Sequence, residues 1–193
     1  MSERDIYIAL GSNIEPERHV PAALAALATA YGPLAVSPLY RSAPVGFEGP
    51  DFVNGVVRGR TAESLSHLQA HLKALERRAG RDHTQKLATR ELDLDLLLFG
   101  EETIAADGIV LPRPDILEYA FVLRPLAEIA PNVRHPETGR SLAWHWRHFE
   151  GTRIPLTPIT LGGDTGSEKQ GESGEESMVG VTGFEPTTPT SRT

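Results

Sequence analysis

The run Leu92-Asp93-Leu94-Asp95-Leu96-Leu97-Leu98-Phe99 constrains this chain more than any other stretch. It is apolar enough for a core strand, yet it carries two acids at alternate positions. Successive side chains on a strand point to opposite faces, so Asp93 and Asp95 share one face while Leu92, Leu94 and Leu96 share the other. At a rise of about 3.3 Å per residue, the two carboxylates leave the strand roughly 6.6 Å apart. Side by side on an apolar strand they repel and lose solvation unless a cation or solvent compensates. A magnesium ion suits the position, because hard divalent cations take oxygen ligands and often need only one or two carboxylates. The same alternation also fits a half-exposed antiparallel strand whose acids stand in water.

The preceding segment favours the cation. Arg77, Arg78, Arg81, His83, Lys86 and Arg90 lie there, against Glu76 and Asp82 alone. A basic loop directly before a carboxylate pair suits a polyphosphate and its metal. Basic residues at a helix end are also ordinary complements to its dipole.

Hydrophobic periodicity gives the order of elements. Asp5 to Leu10 reads as a strand closing at Gly11-Ser12, with Asn13 as cap and Pro16 in the first turn of a helix that runs to Tyr31. Leu34 to Tyr40 is a second strand, residues 42–50 a long loop, and Phe52 to Val57 a third strand. Residues 62–79 carry Leu65, Leu68, Leu72 and Leu75 at helical spacing, and the acidic-pair strand follows. That order is β-α-β-β-α-β, an α+β, ferredoxin-like antiparallel sheet with both helices on one face. The other face is left to ligands or to the residues after 100. Those add a hairpin near Glu101 to Val110, a Pro-rich turn at 111–114, and helices at about Ala120 to Ile129 and Leu142 to Phe149.

The chain has 193 residues and no cysteine, which suits one sizeable domain and excludes disulfides, thiolate zinc sites and cysteine nucleophiles. Its charged start, Met1 to Asp5, is unlike a signal peptide, and no apolar run approaches the roughly 20 residues of a membrane span. A cytoplasmic protein without membrane or nucleic-acid partners is expected. Residues 161–193 hold six acids and two bases and few large apolar groups, which leaves only −3 of the net −7 for residues 1–160. The expected division is a folded domain over 1–160 and a disordered, acidic, Pro- and Thr-rich tail over 161–193, its last part (178–193) resembling an appended segment.

Several short motifs now combine. They are Ala9-Leu10-Gly11-Ser12-Asn13, Tyr40-Arg41-Ser42-Ala43-Pro44, Pro50-Asp51-Phe52-Val53-Asn54, Arg90-Glu91-Leu92-Asp93-Leu94-Asp95, Phe121-Val122-Leu123-x-Pro125-Leu126 and Glu128-Ile129-Ala130-Pro131. In this order, from about Ile6 to Phe149, the chain resembles the 6-hydroxymethyl-7,8-dihydropterin pyrophosphokinases of folate biosynthesis. The resemblance implies transfer of pyrophosphate from ATP to the pterin hydroxymethyl oxygen, with release of AMP. It implies two Mg²⁺ ions held by Asp93 and Asp95, with Arg81 and Arg90 gripping phosphates as catalytic residues. It implies an ATP site at Glu76, Arg81, Arg90, Leu96 and Arg113, and a loop from Arg81 to Thr89 that closes over both substrates. The pterin pocket it implies is Ser42, Ala43, Val45, Phe52, Asn54 and Phe121: a flat, polar-edged heterocycle suits aromatic faces and an amide that donates and accepts. The expected partners are therefore small molecules, and the expected assembly is a monomer or weak dimer.

The chain departs from the family pattern at several positions. Leu87-Ala88-Thr89-Arg90 stands where Trp-Gly-Pro-Arg is usual, Ser42-Ala43 where Thr-Pro is, Arg113 in place of a histidine and Tyr119 in place of an arginine. The last two normally touch ATP, so a second reading stays open, a catalytically weak pterin-binding or regulatory module. Other signals point nowhere specific. His67 and His71 lie four apart on the second helix without a third ligand and read as a helix surface. Gly11-Ser12 lacks a phosphate-loop signature, Ser12 has no His-Asp partners, and Trp144 to His148 reads as a helix docking aromatics on the core.

Overall fold

The computed structural model describes residues 3–80, 91–106 and 108–161. The first half supplies β1 (Arg4–Ser12), α1 (Pro16–Tyr31), β2 (Ala35–Val36), β3 (Leu39–Ser42), β4 (Phe52–Thr61) and α2 (Leu65–Arg78). The second supplies β5 (Asp93–Phe99), the hairpin β6 (Ile104–Ala106) and β7 (Ile109–Leu111), α3 (Asp115–Glu118), α4 (Ala120–Ile129), α5 (Leu142–Arg147) and β8 (Thr157–Ile159). The main sheet runs β5-β1-β4-β3-β8, with β2 also on β4. Every pairing in it is antiparallel. The expected ferredoxin-like arrangement is therefore the observed one, extended at the edge by β8, a strand the periodicity did not suggest.

Two apolar layers sandwich the sheet. Ile6, Ile8 and Leu10 of β1, Val53 and Val57 of β4, and Leu94 and Leu96 of β5 face α1 and α2, where Val20, Leu27, Leu68 and Leu72 meet them. On the other face Tyr7, Val56 and Leu97 meet Ile116, Leu123, Leu126, Leu142 and Phe149 from α3 to α5. The residues after 100 thus cover part of the face left open by the first hundred, and an end of it remains accessible.

A β-bulge modifies the alternation in β5. The register shifts at Tyr7/Ile8, where Tyr7 opposes Leu98 and Ile8 opposes Leu96. Leu97 and Leu98 consequently both join the second layer, while Asp93, Asp95, Leu94 and Leu96 keep the alternation expected of them.

Some local expectations are corrected. Helix α1 begins after Glu15 and not on an Asn13 cap, and the Asn13 Nδ2 donates to the Pro50 carbonyl at 3.4 Å. The strand expected over 34–40 is broken. Pro38 has no N–H to give, and Ser37 takes over the local bonding, its Oγ accepting from Val56 N at 2.9 Å. Helix α2 starts at Leu65, where Ser64 Oγ accepts from His67 N at 3.4 Å. On that helix His67 is exposed, while His71 Nδ1 sits 2.6 Å from the Tyr31 hydroxyl. Trp146 packs on the second layer as expected of a docked aromatic. The last described residue, Leu161, still packs on the helix-side core, and the remainder of the expected tail lies outside the described residues. Among the described residues no helix is long and apolar enough to cross a membrane.

Candidate active site

Register places the candidate residues. Gly11 on β1 opposes Asn54 on one side and Asp93 on the other, and Tyr40 opposes Asn54 in turn. One row across four strands therefore reads Asp93, Gly11, Asn54, Tyr40. The next row reads Asp95, Ala9, Val56. With neighbouring strands about 4.8 Å apart, Asn54 and Asp93 leave the sheet roughly 10 Å from each other. Between them Gly11 presents only hydrogen. A Cβ there would sit 3.5 Å from Asn54 Oδ1 and 4.0 Å from Asp93 Cβ, filling the floor of the gap.

That gap is a cavity of about 280 Å³, close to the roughly 300 Å³ at which small-molecule pockets begin. Sheet residues Ala9, Gly11, Phe52, Asn54, Asp93, Asp95 and Leu97 form its floor. The loop after β3 supplies Ser42, Ala43, Pro44, Val45 and Phe47, and the segment entering α3 and α4 supplies Arg113, Asp115, Tyr119, Phe121 and Val122. All six residues of the expected pterin pocket, both aspartates and Arg113 line this one space. Arg81 and Arg90, and the closing loop between them, lie outside the described residues.

The polar groups are oriented by neighbours. Asn54 is buried, and its Nδ2 donates to Ser42 Oγ at 2.9 Å, which leaves Oδ1 toward the cavity floor. Phe121 stacks with Tyr119 at a centroid distance of 5.1 Å and 23°, and Phe52 meets Phe47 edge-on at 6.2 Å. The turn that aims Tyr119 and Phe121 is pinned from outside: Ala120 N donates to Thr152 O at 3.1 Å, and Thr152 N to Glu118 O at 2.7 Å. Gly151 permits this approach, since a Cβ there would lie 2.5 Å from the Glu118 carbonyl oxygen.

The charges do not balance within the described residues. Asp93, Asp95 and Asp115 face the cavity with Arg113 as the cation among them. Arg113 Nη2 lies 3.1 Å from Asp95 Oδ1, and its Nε lies 2.9 Å from Asp115 Oδ2. Burial pushes the Asp95 carboxyl up to about 6, and Asp93 beside it pushes in the same direction, against the pull of Arg113. A hard cation beside Asp93 and Asp95 would ease their repulsion. No cluster of three or more metal-ligating side chains occurs among the described residues. Magnesium does not require one, since it keeps waters and takes substrate phosphates alongside one or two carboxylates. The donor set fits the ion.

Two members of the expected ATP set stand apart from the cavity. Glu76 is 3 % exposed on α2, and its Oε1 accepts from Leu94 N at 2.9 Å, between the two aspartates. Its side chain thus secures the outer edge of β5. Leu96 buries its side chain in the helix-side core, so that side chain does not reach the cavity. Its backbone shares the outward edge with Leu94, because the amide groups of alternate strand residues point the same way.

Sequence reasoning missed Gly11 as floor, and missed Phe47 and Asp115 as walls. Phe47 stands in the loop singled out for its length, and Asp115 is the acid nearest the anomalous Arg113. Either position was a cue.

The model of the family described as 7,8-dihydro-6-hydroxymethylpterin-pyrophosphokinase matches residues 7–131. The 2-amino-4-hydroxy-6-hydroxymethyldihydropteridine pyrophosphokinase of Pseudomonas aeruginosa is 42 % identical over 141 residues, covering 71 % of this chain and 86 % of that protein. The protein of the same name from Synechocystis is 34 % identical over 168 residues, covering 84 % and 86 %. Among solved structures, a Plasmodium falciparum HPPK-DHPS superposes with a TM-score of 0.63 at 11 % identity, over 77 % of this chain and 46 % of that one, a likeness of fold. With the match spanning most of the sheet, the pocket and both aspartates, the chain belongs to the 7,8-dihydro-6-hydroxymethylpterin-pyrophosphokinase family.

Proposed function

We propose that this chain transfers the terminal pyrophosphoryl group of ATP to the hydroxymethyl oxygen of 6-hydroxymethyl-7,8-dihydropterin, in folate synthesis. The observation that carries the reading is the single cavity shared by an amide-and-aromatic pocket and an aspartate pair one sheet row apart. The oxygen attacks the β-phosphorus, the bond from that phosphorus to the α-phosphate oxygen breaks, AMP leaves, and the hydroxyl proton is released.

Each side chain has a task within that reading. Asn54 Oδ1 accepts from an N–H of the heterocycle, held in that sense by Ser42. Phe52 and Phe121 supply apolar faces, while Ala43 and Val45 close the wall. Asp93 and Asp95 would hold magnesium, two ions by the family resemblance, which would supply neutralisation of the phosphate charge. Glu76 fixes the strand that carries both carboxylates, and the outward backbone of Leu96 offers an edge for the nucleotide base. Arg81, Arg90 and Arg113 take the phosphate charge. Positioning and charge neutralisation are most of what phosphoryl transfer asks of a protein.

The decisive experiment is incubation with MgATP and hydroxymethyl-dihydropterin. Stoichiometric AMP supports the reading. ADP in its place indicates a simple kinase, and neither product leaves a pterin-binding module.

A further inference from the structure

Arg113 is anchored so that its charge has two resting places. Its backbone N–H donates to the Leu97 carbonyl at 3.0 Å, two residues beyond Asp95, so the side chain starts beside the strand that carries both acids. One end of the guanidinium meets Asp95 Oδ1 at 3.1 Å, and the Nε side meets Asp115 Oδ2 at 2.9 Å. Asp115 opens α3 and lies off the strand that carries the aspartate pair. A single guanidinium therefore bridges a carboxylate of the cation site and one outside it.

The guanidinium takes one of the Asp95 oxygens and sets a positive charge beside the position of a divalent ion. Charges of +1 and +2 about 5 Å apart, at an effective dielectric near 20, repel by many times the thermal energy. An ion that arrives alone competes with Arg113. An ion that arrives with a polyphosphate does not, because the phosphate oxygens draw the guanidinium off Asp95. Asp115 keeps it within reach meanwhile.

Resting on the diphosphokinase reading of this cavity, we propose that Arg113 is a placeholder cation at Asp95, so that the divalent ion enters the site together with the nucleotide polyphosphate and not before it. In this role Arg113 is a positioning residue, acting through the occupancy of Asp95.

Binding of Mn²⁺ to the full chain tests this, followed by calorimetry and by the spin-resonance signal of free Mn²⁺, with and without a non-hydrolysable ATP analogue. Arg113→Gln is expected to bind Mn²⁺ alone at least about tenfold more tightly than the parent, since the competing charge is gone. Arg113→Lys, which keeps the charge, is expected to stay as weak as the parent. With the analogue present, the gain of Arg113→Gln shrinks or reverses. Equal or weaker Mn²⁺ binding by Arg113→Gln overturns the proposal, and so does an equal gain for the Gln and Lys variants. Adding Asp95→Asn to Arg113→Gln must remove the gain. If the gain survives, the ion is not on Asp95, and the proposal falls together with the metal assignment beneath it.

Discussion

Asn54 donates through Nδ2 to Ser42 Oγ at 2.9 Å, a buried bond that decides which end of the amide the cavity sees. With the amino end occupied, the carbonyl oxygen is left over Gly11. Ser42→Ala frees the amide to turn and leaves its amino group short of a partner. A lost hydrogen bond of this kind is worth about 1 kcal/mol. The pterin KM is expected to rise roughly fivefold, with a smaller effect on the KM for ATP. Steady-state kinetics in both substrates check it, and equal changes in the two KM values would contradict the assigned orientation.

Asp93 and Asp95 are the pair proposed to hold the cation. Asp93→Ala and Asp95→Ala are each expected to lower transfer by at least about a thousandfold, as removal of transition-state charge stabilisation does. Far-ultraviolet circular dichroism should meanwhile stay at the parent's level. Near-normal turnover in either variant would show that the cation is held elsewhere.

The Asp95 carboxyl, raised to about 6 from its ordinary 3.8, makes a pH prediction for the metal-free protein. The folded state holds this proton more tightly than the unfolded chain. The contribution of Asp95 to stability is therefore fullest at acid pH and declines as pH rises from about 4 through 6. Asp95→Asn removes the penalty. In EDTA the variant should melt higher than the parent at pH 7.5, and the difference should disappear near pH 4. A difference of one size at both pH values would refute the shift.

Glu76 is buried on α2 and holds Leu94 N–H at 2.9 Å. Glu76→Ala strands that backbone donor and opens space beside the edge of β5. A loss of about 1–3 kcal/mol is expected, in the range for a buried group left unpaired. Urea unfolding measures it. Because both aspartates ride on the same strand, turnover should fall even under conditions where the variant is fully folded. A stable variant with unimpaired turnover would remove Glu76 from the site altogether.

Much of the arrangement was legible because it depends on near neighbours along the chain. Strand alternation alone sends Asp93 and Asp95 to one face and Leu94 and Leu96 to the other, and the bulge falls beyond the pair. Helical spacing of Leu68 and Leu72 marked the face of α2 that packs on the sheet. The failures were local competitions that pattern does not rank. Asn13 is a good cap by type, but the cap position falls two residues later, at Glu15. Ser37 and Pro38 interrupt a stretch that reads as one strand.

The sequence by itself determined the β-α-β-β-α-β plan of the first hundred residues, the shared face of the two acids and the family, since each rests on residue type and short-range geometry. The tertiary structure alone decided which side chains meet. Register across three strands puts Gly11 between Asn54 and Asp93, and the path into α3 brings Arg113 and Asp115 back over Asp95. It also gave Glu76, expected in the ATP site, a hold on the outer edge of β5. These contacts join residues far apart in the chain, so they follow from how two layers pack on one sheet, which no local pattern encodes.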